Sequence, residues 1–104
     1  MLIPFPFTDL TGTKLRPALV LIEGNDDCVV ASISSKMPSQ PSPTEVLIPE
    51  DHEEYAGTGL KRPSVLKLDK VATISKNLVL GEIGEVGEVL RKDISRRLQA
   101  IFQL

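Results

Sequence analysis

The chain has 104 residues, 41% of them hydrophobic and 25% charged, which is the composition of one globular domain and excludes a disordered chain. Three Phe, one Tyr and no Trp are too few aromatics for the base-stacking platforms of single-strand binders. Twelve basic against fourteen acidic residues give a net charge of −2, with no overall basic footprint, and the one cysteine, Cys28, excludes an intrachain disulfide and a cysteine-based zinc site.

In chain order, Leu2-Ile3-Pro4-Phe5-Pro6-Phe7 reads as an extended strand whose prolines confine it to an edge or a strand end. Met1-Leu2-Ile3-Pro4 carries no secretory leader pattern, and no apolar run approaches the ~18–20 residues of a membrane span. The expectation is a single cytoplasmic domain over residues 1–104 with no membrane partner. Thr8 to Thr13 reads as a polar loop with a turn signal at Gly12. Arg16-Pro17-Ala18-Leu19-Val20-Leu21-Ile22 is a buried-type strand opened by a proline. Glu23 to Asp27 suits a hairpin turn, and Cys28 to Ser34 a second buried strand with Cys28 as a small core hydrophobe.

A Ser/Pro-rich loop, Ser35 to Pro43, leads to a short strand, Thr44 to Ile48. Glu50-Asp51-His52-Glu53-Glu54 holds four carboxylates in five residues and reads as solvated surface. Gly57-Thr58-Gly59-Leu60 is a turn. Ser64 to Asp69 alternates apolar and polar, as a half-buried strand does, with Lys67 and Asp69 on one face. Val71 to Ile74 continues it after a bulge or bend. Leu90, Ile94, Leu98, Ile101 and Phe102 recur at helical spacing, so an amphipathic helix is expected just after Gly87, with Glu88 in its first turn. Lys92, Asp93, Arg96 and Arg97 would face water. About five short strands and one terminal helix point to a mainly β chain, a small barrel with helical decoration.

Several catalytic signatures are absent: there is no Gly-rich phosphate loop, HExxH, CxxC, GxSxG or EF-hand loop. The single histidine, His52, cannot support a two-histidine ribonuclease mechanism. Chemistry would have to come from Arg, Lys, Asp, Ser and Thr. Charge is uneven along the chain. Lys61, Arg62, Lys67, Lys70 and Lys76 against Asp69 give +4 between Lys61 and Lys76, whereas Glu50 to Glu54 gives −4. A dipolar surface of this kind can bind a polyanion on one side, although such blocks are common on soluble domains. Arg16, between a glycine loop and a buried strand, is placed either for phosphate recognition or for pairing with a carboxylate.

Pro4-Phe5-Pro6-Phe7-Thr8-Asp9-Leu10 and Gly12-Thr13-Lys14-Leu15-Arg16-Pro17-Ala18-Leu19-Val20 closely resemble the opening of the PemK/MazF family of toxins of type II toxin–antitoxin systems. The resemblance continues through Val30-Ala31-Ser32-Ile33-Ser34-Ser35, through Gly59 to Lys70, and at Ile83-Gly84 ahead of the last helix. It implies a small SH3-like β-barrel with a C-terminal α-helix, assembled as a homodimer. It implies a metal-independent, cofactor-free, sequence-specific endoribonuclease that cuts single-stranded RNA, inhibits translation and growth, and is neutralised by a cognate antitoxin. DNA would be reached only through the antitoxin complex. The same fold also occurs in a gyrase poison, so a non-enzymatic growth inhibitor and an inactive antitoxin-binding member are the alternatives.

The family's arginine after the first loop and its threonine at the end of a following strand match Arg16 and Ser34. A basic-x-Asp pair on a later strand matches Lys67 and Asp69. Arg16 would neutralise the scissile phosphate, Ser34 would donate to a phosphate oxygen, and Asp69 would accept the 2′-OH proton beside Lys67. Lys14, Lys36, Lys61, Arg62 and Lys70 are the expected RNA-binding cations. Three departures stand out. Ser34 keeps the hydroxyl but lacks the methyl of the usual threonine. Lys67 lacks the bidentate fork of the usual arginine. Fewer residues than usual precede Pro4, so the first strand is expected to be shortened.

Overall fold

The computed structural model describes residues 1–9 and 12–103, with side-chain surroundings described for residues 1–5 and 14–103. Five strands form one antiparallel sheet: β1 (Leu2–Asp9), β2 (Gly12–Glu23), β3 (Asp27–Ser34), β4 (Glu45–Ile48) and β5 (Ser64–Ser75). Their order across the sheet is β1-β2-β3-β5-β4. One helical turn, α1 (Tyr55–Thr58), precedes β5, a 3₁₀ turn at Lys76–Leu78 follows it, and α2 (Glu88–Ile101) closes the chain.

The expected polar loop at Thr8 to Thr13 is shorter than its composition suggested. Thr8 and Asp9 extend β1, and Gly12 and Thr13 already pair with them in β2. Leu10 and Thr11, the rest of that loop, lie outside the described residues. Arg16 therefore stands inside β2, opposite Phe5, rather than at a strand start. β1 is an edge strand, as its prolines require.

The sheet does not close into the expected barrel. Among the described residues β1 pairs only with β2, and β4 only with β5. The outer edge of β1 is taken by a short crossing segment instead: Leu2 N donates to Gly84 O at 2.8 Å, and Ile83 N to Leu2 O at 2.7 Å.

The two faces of the sheet carry two separate apolar clusters. One joins Leu2, Leu19, Ile33, Leu66 and Leu68 to Leu90 and Ile94 of α2. The other holds Ile3, Ala18, Cys28, Val30 and Ile74 on the opposite face. Cys28 is buried, in keeping with its reading as a small hydrophobe. β5 serves both clusters because it is interrupted. Ala31 pairs with Val71 and its neighbour Ser32 with Lys67, so Leu68, Asp69 and Lys70 form the expected bulge.

α2 begins after Gly87 with Glu88 in its first turn, as its spacing predicts. Leu90 and Ile94 are fully buried, and each contributes about 1.5–3 kcal/mol through removal from water. Phe102, counted with the apolar stripe, is 62% exposed instead, because the helix ends at Ile101. Asp93 and Arg97 are less open to water than expected. Asp93 accepts from Arg96 at 2.6 Å and Arg97 at 3.0 Å, and Arg97 also donates to Pro43 O at 2.8 Å, pinning the Ser/Pro-rich loop. The acidic stretch also departs from its solvated reading at one residue. The Glu54 carboxylate accepts from the backbone N–H groups of Val89 and Leu90, each at 2.8 Å.

Candidate functional site

A proline determines where the sheet opens. Val20 N donates to Met1 O, towards β1. By alternation Ala18 and Arg16 also turn their N–H groups towards β1, while Leu19 and residue 17 face β3. Residue 17 is a proline and has no N–H to donate, and the β2–β3 pairing ends at Ala18–Ser32. At this end lies a groove of about 340 Å³. Its lining draws Pro4 from β1, Leu15 to Pro17 from β2, Ile33 from β3 with Ser35 just after it, the segment Gly59 to Arg62, Ser64 at the start of β5, and Ile83. Among the described residues, Arg16, Lys61 and Arg62 are the charged groups of this lining, and no carboxylate belongs to it.

The segment Gly59 to Arg62 is shaped by two local devices. Gly59 has φ +74°, and a Cβ there would collide with the backbone of Ile83. Thr58, fully buried, donates its hydroxyl hydrogen to Tyr55 O at 2.6 Å and accepts from Leu60 N at 3.2 Å. Further on, the Ser64 hydroxyl donates to Arg62 O at 2.9 Å. Lys61 and Arg62 are exposed, and neither has an ion-pair partner among the described residues. Arg16 is half-buried.

Register locates the other expected catalytic residues. Ala18 pairs with Ser32 and Ser32 with Lys67, which also faces Glu45 of β4. Two residues further along from Ala18 and Ser32, on that same face of the sheet, stand Arg16 and Ser34. Three of the four catalytic candidates thus share one face, opposite to the one that Leu15, Pro17, Ile33 and Ser35 turn to the groove. Asp69 lies apart, exposed in the bulge of β5. Ser34 is half-buried and its Oγ accepts from Lys36 N at 3.1 Å; the serine that lines the groove is its neighbour Ser35.

Of the five RNA-binding candidates, the groove brings together Lys61 and Arg62 with Arg16. Lys14, Lys36 and Lys70 are exposed outside its lining. Lys76, the last cation of the basic block, pairs with Glu23 at 3.4 Å. Sequence reasoning missed Ser35, the apolar lining of Leu15, Leu60 and Ile83, and the tie made by Glu54. One signal pointed to the tie. A helix opened by Gly87 has no capping side chain of its own, so its free N–H groups need an acceptor from elsewhere.

Among the described residues, Glu54 and Asp93 are the groups whose pKa clearly departs from the ordinary value. Partial burial raises the Glu54 carboxyl, but hydrogen bonds from Leu90 and Val89 and the charge of His52 outweigh it, leaving the pKa below its ordinary value. At Asp93, partial burial is likewise outweighed by Arg96 and Arg97. The His52 Nδ1 accepts from Glu54 N at 3.0 Å. Among the described residues no group of three or more His, Cys, Asp or Glu is arranged to hold a metal ion, and no helix is long and apolar enough to cross a membrane.

The family model described as PemK-like, MazF-like toxin of type II toxin–antitoxin system matches residues 2–102. The chain belongs to this family. Its PemK/MazF fold is seen in solved structures. It is similar to the Mycobacterium tuberculosis toxin MazF-mt6, with 24% identity, 97% of each chain covered and a TM-score of 0.70. It is also similar to an endoribonuclease from mycobacterial species solved in complex with its cognate antitoxin. There the identity is 19%, 98% of this chain and 92% of that chain are covered, and the TM-score is 0.69. A search of curated proteins gives no match. The open five-stranded sheet with a C-terminal helix is thus the form this PemK/MazF chain takes.

Proposed function

We propose that this PemK/MazF-family toxin is a sequence-specific endoribonuclease that cuts single-stranded RNA without a metal ion, and so inhibits translation and growth. The observation that carries the reading is the groove beside Arg16, where Lys61 and Arg62 stand with no carboxylate among the described lining residues. Two exposed cations over an open cleft, with Arg16 in the strand beside it, suit a polyanion, and phosphate contacts supply most of the affinity for nucleic acid. The likeness to an endoribonuclease solved with its antitoxin supports the same reading, with a cognate antitoxin as partner; a homodimer as the working form follows from the family resemblance alone.

RNA supplies its own nucleophile. The 2′-OH attacks the adjacent phosphorus and loses its proton to a base, the bond to the 5′-oxygen breaks, and that oxygen takes up a proton. The products are a 2′,3′-cyclic phosphate and a 5′-OH end. Arg16, held inside a paired strand, stabilises charge on the phosphorane through its guanidinium fork. Ser34, on the same face, donates to a phosphate oxygen, and Lys67 adds positive charge from the next strand. Asp69 is assigned as the acceptor for the 2′-OH proton on the family resemblance alone, since the bulge of β5 sets it apart from Arg16 and Ser34. Lys61 and Arg62 hold the flanking phosphates.

The test is cleavage of single-stranded RNA by the purified chain in EDTA, with both new ends mapped. Cleavage at a fixed short sequence, lost in Arg16→Ala, is expected. Cleavage that needs an added metal, or that survives Arg16→Ala, overturns the mechanism. Growth arrest with DNA damage and intact RNA would place the chain with the gyrase poisons instead.

A further inference from the structure

Glu54 stands just before α1 and outside the groove lining, yet it is connected to the groove by an unbroken chain of contacts. Its carboxylate caps α2 from 35 residues upstream, accepting from Val89 N and Leu90 N. The fit is close, because a Cβ on Gly87 would collide with that carboxylate. α1 is a single turn of four residues, too short to hold its place alone. It is therefore held by its ties: Glu54 to α2 at its start, and Gly57 O to Glu85 N at 2.9 Å near its end. Thr58 then carries that placement across the left-handed Gly59, by accepting from Leu60 N. The next two residues are Lys61 and Arg62, which have no ion-pair partner among the described residues to orient them.

We propose that Glu54 is a positioning residue for RNA binding: by clasping α2 it fixes α1, and through the Thr58 hydroxyl it sets where Lys61 and Arg62 stand over the groove. Glu54 touches neither substrate nor reacting atoms, so its effect falls on binding and leaves the cleavage step at Arg16 alone. The inference rests on the ribonuclease reading.

The experiment measures kcat and KM of the full chain on a single-stranded RNA carrying the mapped site, with thermal melting and amide hydrogen exchange beside them. The variants are Glu54→Gln, which leaves only one acceptor oxygen, Thr58→Val, which removes the hydroxyl at nearly constant volume, and Thr58→Ser, which keeps it. Glu54→Gln and Thr58→Val should raise KM roughly 3- to 10-fold with kcat within about 2-fold, the pattern of lost uniform binding. Exchange at Leu60 should quicken in both, and Thr58→Ser should restore the original KM. Unchanged KM in folded Glu54→Gln and Thr58→Val overturns the proposal. So does a fall in kcat that merely tracks the unfolded fraction, which is what a purely structural role gives. Failure of the unmodified chain to cut RNA overturns the ribonuclease reading itself, and is seen before any variant is made.

Discussion

The two ends of α1 carry opposite charge and use it in opposite ways. Before the helix, Glu54 turns its carboxylate inward, where two backbone N–H groups of α2 satisfy it. After it, Lys61 and Arg62 stay exposed over the groove with no ion-pair partner among the described residues. The lesson is that density of charge along a sequence does not separate structural from binding roles. A charge satisfied within the fold stabilises it, and a charge left for solvent is available to a ligand.

The largest effect belongs to the binding side of this contrast. Arg16→Ala should lower kcat for RNA cleavage by at least about 10²-fold, as loss of one transition-state donor does elsewhere, with the melting temperature little changed. A wild-type rate would remove Arg16 from the reaction. Next comes the turn between the two ends. Gly59→Ala forces a side chain into a left-handed conformation against Ile83, and should cost about 1–3 kcal/mol in urea unfolding. Gly87→Ala should cost less, about 0.5–2 kcal/mol, because it only expels Glu54 from the helix cap.

Smaller still is the effect of Lys61→Ala. It should weaken RNA binding across all sequences and flatten the salt dependence by about 0.7 in log–log slope, one phosphate contact on a single strand. An unchanged slope would show that Lys61 faces solvent and nothing else. The mildest test concerns pH. The folded-state pKa of Glu54 is lowered, so its stabilisation is complete above the ordinary value of 4.5 and is lost as the pH falls through the folded value. Acid unfolding of Glu54→Gln should therefore begin from a lower stability and decline less steeply below pH 4.5 than that of the unmodified chain. Asp93→Asn should behave likewise, from 3.8 downward. Parallel acid curves would mean that neither carboxylate is tied in solution as it is in the fold.

Much of this architecture was legible. Period-two and period-3.6 patterns are local, so β3, β4, the broken β5 and the start of α2 could be read from Cys28 to Ser34, Thr44 to Ile48, Ser64 to Ile74 and Leu90 to Ile101. Arg16 could be singled out from its place beside Pro17, and the groove does contain it. What escaped depended on contacts distant in sequence. Closure of the sheet turned on whether β1 meets β4 or the Ile83-Gly84 segment, and nothing local decides that. The capping role of Glu54 needed knowledge that residues 54 and 89 are neighbours. The choice between Ser34 and Ser35 at the groove depends on which side of β3 faces the opening beyond Pro17.

The bulge of β5 has an arithmetic of its own. Lys67 and Val71 are four apart, yet they pair with adjacent residues of β3, so three residues are looped out. Three is odd, and an odd insertion exchanges the two faces of a strand whose side chains alternate. That exchange is why Leu66 and Ile74, both at even positions, serve cores on opposite sides of the sheet. Chain length in this stretch is therefore quantised. Deleting a single residue there would turn Ile74 away from its core, whereas deleting two would leave a one-residue bulge and keep both faces in phase. Length variation among sequences sharing this fold should come here in steps of two.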